Sequence, residues 1–223
     1  MNSKYSNFLT VLLVIVIIAI IAIIGFLGYK YYETYIIKSS SEDFVGTFGD
    51  DTSETNDEET VENTQDENMF AGVEEGNNTS NSSQGKKKQY NGFDTAGTIE
   101  IPKTNLKCPI LEQYEYSPKA LETSVVVLYG VGLNQVGNTT IAGHNYRNGL
   151  FFSNNKKLSV GDKIYITDST GKRLAYTIYD KFEAAENESD YITRDTQGAI
   201  EISLTTCTDD SKARLIILAK ADV

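Results

Sequence analysis

Twenty consecutive residues, Phe8 to Leu27, carry no charge and are apolar except for Thr10 and Gly25. No other stretch constrains the chain as strongly. At 1.5 Å of rise per residue a helix of this length is about 30 Å long, the thickness of a bilayer's hydrocarbon core. Residues 8–28 are therefore read as a transmembrane helix, preceded by a short segment, 1–7. A cleaved secretory leader fits less well, because its apolar region usually runs about 7 to 15 residues and Gly28-Tyr29-Lys30-Tyr31-Tyr32 offers no small-residue cleavage site. Tyr29, Tyr31, Tyr32 and Tyr35 suit the membrane interface, where a ring sits among headgroups with its hydroxyl wet. Lys4 on one flank and Lys30 and Lys38 on the other leave the orientation undetermined by charge.

Charge is distributed unevenly along the rest of the chain. Residues 39–85 contain thirteen Asp or Glu and no Lys or Arg, so they hold the entire negative excess of a chain whose net charge is −11. The same stretch is rich in Ser, Asn, Thr and Gly and poor in large apolar side chains. Such a composition cannot bury enough surface to offset the entropy of ordering. Residues 29–89 are accordingly expected to be an acidic, disordered linker that holds a folded domain off the membrane. That domain is 90–223, of ordinary single-domain size. It has no basic stripe, which argues against a nucleic-acid partner.

Within the domain the apolar residues fall in short, β-branched or aromatic runs. Strands are expected at 97–102, 106–111, 125–128, 139–142, 163–167, 174–182, 201–206 and 214–219. Asp168-Ser-Thr-Gly171 reads as a hairpin turn. Ser117-Pro118 supplies an N-cap and a proline at the first helical position, so a short helix is expected over 118–123. Eight strands with one or two short helices predict a mainly β fold, and a closed barrel is favoured because closure removes exposed edges.

The residue inventory limits the chemistry, since the chain has one histidine and two cysteines. No paired Cys or His spacing suited to zinc occurs, so no metal and no other cofactor is expected. A serine triad would need His144 and a G-x-S-x-G elbow, which is missing. Cysteine with histidine is what remains. Cys207 ends an apolar run and opens a polar loop, while His144 follows Thr139-Thr-Ile-Ala142 with Gly143 between, permitting a turn or a close approach. Taken singly, each has an ordinary reading, His144 as a surface or core histidine and Cys207 as a small buried residue. Cys108, in Leu106-Lys-Cys-Pro-Ile, reads as a packed strand residue rather than a disulfide partner.

Considered together, these segments resemble the sortases. That family carries a T-L-x-T-C strand end, an arginine on the next strand, and a histidine after an earlier strand. Here Ser203-Leu-Thr-Thr-Cys207, Arg214 and Ile141-Ala-Gly-His144 stand in that order, within a likeness extending over 97–219. Ser203 departs from the usual threonine but keeps the hydroxyl. The resemblance implies an eight-stranded β-barrel and a cysteine transpeptidase, with Cys207 as nucleophile, His144 as general acid and base, and Arg214 stabilising the oxyanion or positioning substrate. Leu204 and Thr206 would contact substrate. The implied partners are sorting-signal peptides of surface proteins and an amine acceptor, with a peptidoglycan precursor favoured. The implied location is the cell membrane, crossed once, with the N-terminus cytoplasmic and the catalytic domain outside. The pilus-polymerising class typically has an Asp-Pro-aromatic lid and a C-terminal span, and neither pattern occurs here; the Asp-Asp after Cys207 resembles class B or a related class. The alternatives are a cysteine peptidase that uses water as acceptor, a pilin-linking sortase, and a non-catalytic tethered domain.

Overall fold

The computed structural model describes residues 3–48 and 87–223. Its N-terminal element is a single helix, α1 (Ser3–Phe48). It is followed by β1 (Gln89–Tyr90), β2 (Phe93–Ile101), β3 (Leu106–Leu111), α2 (Pro118–Thr123), β4 (Val125–Gly130), β5 (Gly137–Ala142), β6 (Lys163–Asp168), β7 (Arg173–Ala185), β8 (Ile200–Cys207) and β9 (Ala213–Ala221). Each of the eight expected strands is present, with the two-residue β1 added. α2 begins where the sequence places it, with the Ser117 hydroxyl accepting the Ala120 N–H at 3.2 Å.

Hydrogen bonding joins the strands in the order β1-β2-β3-β4-β5-β8-β9-β7-β6, and a further pairing of β2 with β6 closes β2 to β9 into an eight-stranded barrel. Its interior is filled by inward residues of every wall, among them Ile99, Ile110, Ile141, Ile164, Tyr176, Ile202 and Ile217, all fully buried. Close packing of this kind fixes the strands relative to one another and so makes the rim a rigid platform. Two neighbouring strands, β5 and β8, run parallel, from Gly137↔Ile200 to Ala142↔Thr205. Their C-terminal ends therefore open on the same rim.

α1 corrects one expectation. The segment assigned to a linker from residue 29 is helical through Phe48, while 49–86, the greater part of that linker, lies outside the described residues. Averaged over a window, the composition of this region is polar, yet Thr34, Ile37, Ser41, Phe44 and Phe48 recur at helical spacing and form one partly or fully buried stripe. Ser41 Oγ lies 3.1 Å from the Tyr90 hydroxyl, and the Phe44 and Tyr90 rings meet edge to face at 5.2 Å. Lys88 donates to the Phe48 carbonyl at 2.7 Å, satisfying one of the carbonyls that a helix end leaves open. Tertiary contact, more than intrinsic propensity, is what sustains these last turns. Along its first half α1 is different. From Phe8 to Leu27 its side chains are exposed, and it is long and apolar enough to cross a membrane.

A polar layer anchors the chain between β7 and β8 to the barrel wall. Arg194 pairs with Glu201 at 2.5 Å and donates to Ser203 Oγ at 2.7 Å, and Ser203 in turn donates to Asn138 Oδ1 at 3.0 Å. Asn138 donates to the Tyr191 and Ile192 carbonyls at 3.1 and 2.9 Å. Ser203 thus uses the hydroxyl that the sequence retains. These bonds tie the backbone at Tyr191 and Ile192 to the barrel wall.

Candidate active site

The rim at the ends of β5 and β8 carries a cleft of about 390 Å³ that is lined by His144, Thr206, Cys207 and Arg214. Leu121, Leu128 and Ile192 give it apolar walls, and Glu186 and Glu188 contribute charge from the loop after β7. Each candidate side chain is placed at a strand end or just beyond one. Cys207 is the last residue of β8 and is half-buried, so its thiol is reachable while its backbone is held. Arg214 lies directly across the antiparallel β8–β9 ladder from it, in the register Cys207↔Arg214. Directly opposed residues project to the same face of a sheet. The polar turn between them is tightened by Asp210, which accepts from Thr208 Oγ1 at 2.7 Å and from the Lys212 N–H at 3.1 Å.

His144 stands two residues beyond Ala142, and Cys207 two residues beyond Thr205, with which Ala142 is paired. The parallel register therefore brings the histidine and the cysteine level with each other at the rim. Gly143 continues the ladder by donating to the Thr205 carbonyl at 3.2 Å. It serves a close approach: a Cβ there would stand 2.8 Å from both the Phe152 ring and Val125 Cγ1.

Sequence reasoning misses several neighbours of the predicted residues. Asn145 bridges the two loops, its Nδ2 donating to the Cys207 carbonyl and to Asp209 Oδ1, both at 3.0 Å. Its own carbonyl oxygen accepts from the Arg147 N–H at 3.2 Å, which fixes the amide's orientation. Asp209 is held on its other oxygen by Lys156 at 2.6 Å. These bonds, from Lys156 first and Asn145 second, hold the Asp209 carboxyl below the ordinary aspartate range. The clamp is therefore fully present above that ordinary range and is lost only as pH falls through the lowered value. Position beside His144, and the Asp-Asp after Cys207, are the available signals; the contact between them depends on the β5–β8 pairing. Tyr146 packs its ring 4.8 Å from that of His144. Glu186 binds Arg214 at 2.5 Å, and because the Glu186 side chain is 71% exposed this pair adds little stability and is readily given up.

Two further predicted residues separate. Thr206 lines the cleft and is buried, and its Oγ1 is one of only two buried side-chain oxygens or nitrogens without a hydrogen-bond partner among the described residues. An orphaned hydroxyl at a cleft is what a bound ligand would satisfy. Leu204, expected to contact substrate, is instead fully buried in the barrel core. Both faces of β8 are covered, so a leucine there serves packing.

Cys108 lies in β3, 1% exposed, and burial pushes its thiol up to about 12, against smaller opposing effects of hydrogen bonds from Ser124 and Val125. A thiol so placed does not ionise at neutral pH. Brief treatment of the native protein with iodoacetamide is expected to add one carbamidomethyl group, at Cys207, and treatment in denaturant two, read by peptide mass spectrometry. Among the described residues no cluster of His, Cys, Asp or Glu suited to a metal ion occurs.

A second cleft, of about 360 Å³, lies at the opposite end of β4 and β5. Its one acidic residue with a buried carboxylate, Asp168, is taken up by the β6–β7 turn, accepting from the Thr170 and Lys172 N–H groups at 2.9 and 3.1 Å. Asp168 is thereby committed to the turn, and the rim that carries Cys207 is the candidate site.

Comparison with known proteins bears on the family and the fold. Residues 99–222 match the family model described as the sortase domain. A curated relative, sortase A of Bacillus anthracis, is 28% identical over 124 residues, covering 54% of this chain and 57% of that protein's length. Among solved structures, sortase A from Corynebacterium diphtheriae superposes with a TM-score of 0.53 at 25% identity, over 59% of this chain and 62% of that one. Sortase C from Clostridium perfringens, solved with a C-terminal cell wall sorting motif, gives 0.51 at 26% identity, over 58% and 71%. Sortases A and C are matched about equally, so the likeness establishes the family and leaves the class open. With its barrel closed by the β2–β6 pairing and the family model matched over more than half its length, the chain belongs to the sortase family.

Proposed function

We propose that this chain is a membrane-anchored cysteine transpeptidase that cleaves a C-terminal sorting signal and joins the released acyl group to an amine. The observation that carries the reading is the placement of His144, Cys207 and Arg214 around one cleft on a rigid rim, with Arg214 across the ladder from Cys207. The Cys207 thiolate attacks a backbone carbonyl of the signal peptide, and the C–N bond breaks as His144 gives a proton to the leaving amine. A thioester on Cys207 remains. An incoming amine then attacks this thioester, His144 takes its proton, and the thiolate is restored as the new amide forms. Arg214 faces the oxygen that becomes negative in each tetrahedral intermediate, having left Glu186 to do so. Thr206 Oγ1 is placed to hydrogen-bond the bound peptide.

The acceptor of this reading is an amino group of a peptidoglycan precursor. Anchoring by residues 8–28, with 1–7 cytoplasmic and the barrel outside, puts the cleft on the side where wall precursors and secreted proteins meet. Two competing readings differ only in the acceptor: water, for a peptidase, or a pilin lysine, for which the likeness to solved sortases C gives some support. Incubating the protein with sorting-signal peptides and either small amines, a pilin-derived lysine peptide or water alone separates them. A thioester adduct at Cys207 that resolves to an amide product is expected. Hydrolysis as the sole outcome with every amine offered would establish the peptidase.

A further inference from the structure

α1 does not stop where its apolar run stops. Beyond Leu27 the same helix continues through Lys30, Glu33, Thr34 and Ile37, which form one wall of a cavity of about 520 Å³. The other wall is Glu122 of α2 with Tyr146, Asn148 and Leu150, from the loop that continues from His144. Further along the helix, Lys38 and Ser41 face Leu106 to Cys108 of β3. Further still, Phe44 and Phe48 close on Tyr90 and Lys88. The barrel is thus stacked along α1 in a fixed axial order, with the 146–150 loop nearest the apolar run and β1 farthest from it.

Helix rise converts that order into height. Lys30 lies about 5 Å and Thr34 about 10 Å beyond Leu27 along the helix axis. A bilayer's headgroup layer is about 5–8 Å deep on each side. Independently, Tyr29, Tyr31 and Tyr32 are 63%, 76% and 61% exposed on this stretch of helix, and amphipathic rings of that kind belong in the headgroup layer.

We propose that the barrel is docked on its own membrane anchor with the 146–150 loop resting against the headgroup layer, so that the phosphate-bearing lipid surface is a partner of this face of the domain. His144, which leads into that loop, is then held within a short distance of the bilayer. The substrates such a placement favours are those that are themselves held in the membrane. The inference rests on the apolar run crossing the bilayer and is independent of the reaction proposed above, because it concerns depth alone.

The chain contains no tryptophan, so a single introduced one reports position without background. The full chain is reconstituted in phosphatidylcholine vesicles that carry a nitroxide either on the headgroup or deep in the acyl chain. Three variants are compared: Asn148→Trp in the loop, Ser169→Trp in the turn at the far end of the barrel, and Ile20→Trp in the apolar run. The expected result is quenching of Asn148→Trp by the headgroup nitroxide several-fold stronger than of Ser169→Trp, with Ile20→Trp quenched by the acyl-chain nitroxide. Adding Ile37→Asp and Phe44→Asp to Asn148→Trp should abolish the difference by releasing the barrel from α1. Equal, weak headgroup quenching of Asn148→Trp and Ser169→Trp, with Ile20→Trp still buried in the bilayer, would overturn the docking. Failure of Ile20→Trp to be quenched would remove the span itself and the inference with it. None of these outcomes depends on catalysis, so an inactive protein tests the placement as well as an active one.

Discussion

Replacing Cys207 by alanine is expected to lower both peptide cleavage and amide formation on the order of 10⁴-fold or more, to background, because the acyl intermediate has no other atom to form on. The remaining cleft would still bind peptide through its apolar walls and Thr206, so affinity for the sorting peptide, measured by fluorescence anisotropy, should fall far less than turnover. Cys108→Ala is the matched control. It removes a thiol that is 1% exposed in the barrel wall, and its effect should be confined to a modest loss of thermal stability with turnover nearly intact. A Cys207→Ala protein that still turned over would refute the nucleophile assignment.

Arg214→Ala should lower turnover about 10²–10³-fold, the usual range for losing one donor to a developing oxyanion, while the thioester still forms detectably on long incubation. Arg214→Lys is expected to recover little of this. A guanidinium offers a planar fork of donors, whereas an ammonium on a flexible stem is a point charge that would need to be held in place. Arg214 also has a second partner in the free protein, Glu186 at 2.5 Å. If Arg214 acted only by bracing the loop through that contact, Glu186→Gln would reproduce the Arg214→Ala defect. Stabilisation of the oxyanion predicts instead that Glu186→Gln leaves turnover close to that of the unaltered protein. Steady-state rates on one sorting peptide with a fixed amine acceptor distinguish the two outcomes.

The strands of the barrel are legible in the sequence because each is a short β-branched run bounded by turn residues, and α2 is legible from Ser117-Pro118. What the runs do not reveal is their order around the barrel. The closing β2–β6 pair and the parallel β5–β8 pair join segments far apart in the chain, and nothing local to Thr139–Ala142 or to Ser203–Cys207 encodes which neighbour each finds. For the same reason His144, Cys207 and Arg214 are recoverable as types of residue at strand ends, whereas Asn145 and Asp209, whose importance lies in touching each other, are not. Leu204 goes astray when a motif is read residue by residue without regard to which face of β8 meets the core. The second half of α1 is obscured by averaging it with the acidic residues that follow: the stripe through Ile37, Ser41, Phe44 and Phe48 is visible only when the residues are read at a period of 3.6.

The parallel pairing of β5 with β8 has a consequence for how the protein becomes active. Asn145 and Cys207 are separated by 62 residues, and their hydrogen bond depends on β8 finding β5 across that separation. Contacts of such long sequence separation must close a large loop before they return any stabilisation, so they mature late and slowly. A nascent or partly folded chain therefore has a thiol and an imidazole but no arrangement of the two. On the proposed function, the arrangement arrives with the paired strands, so a chain that is to form thioesters would not capture peptides while it is itself still unfolded.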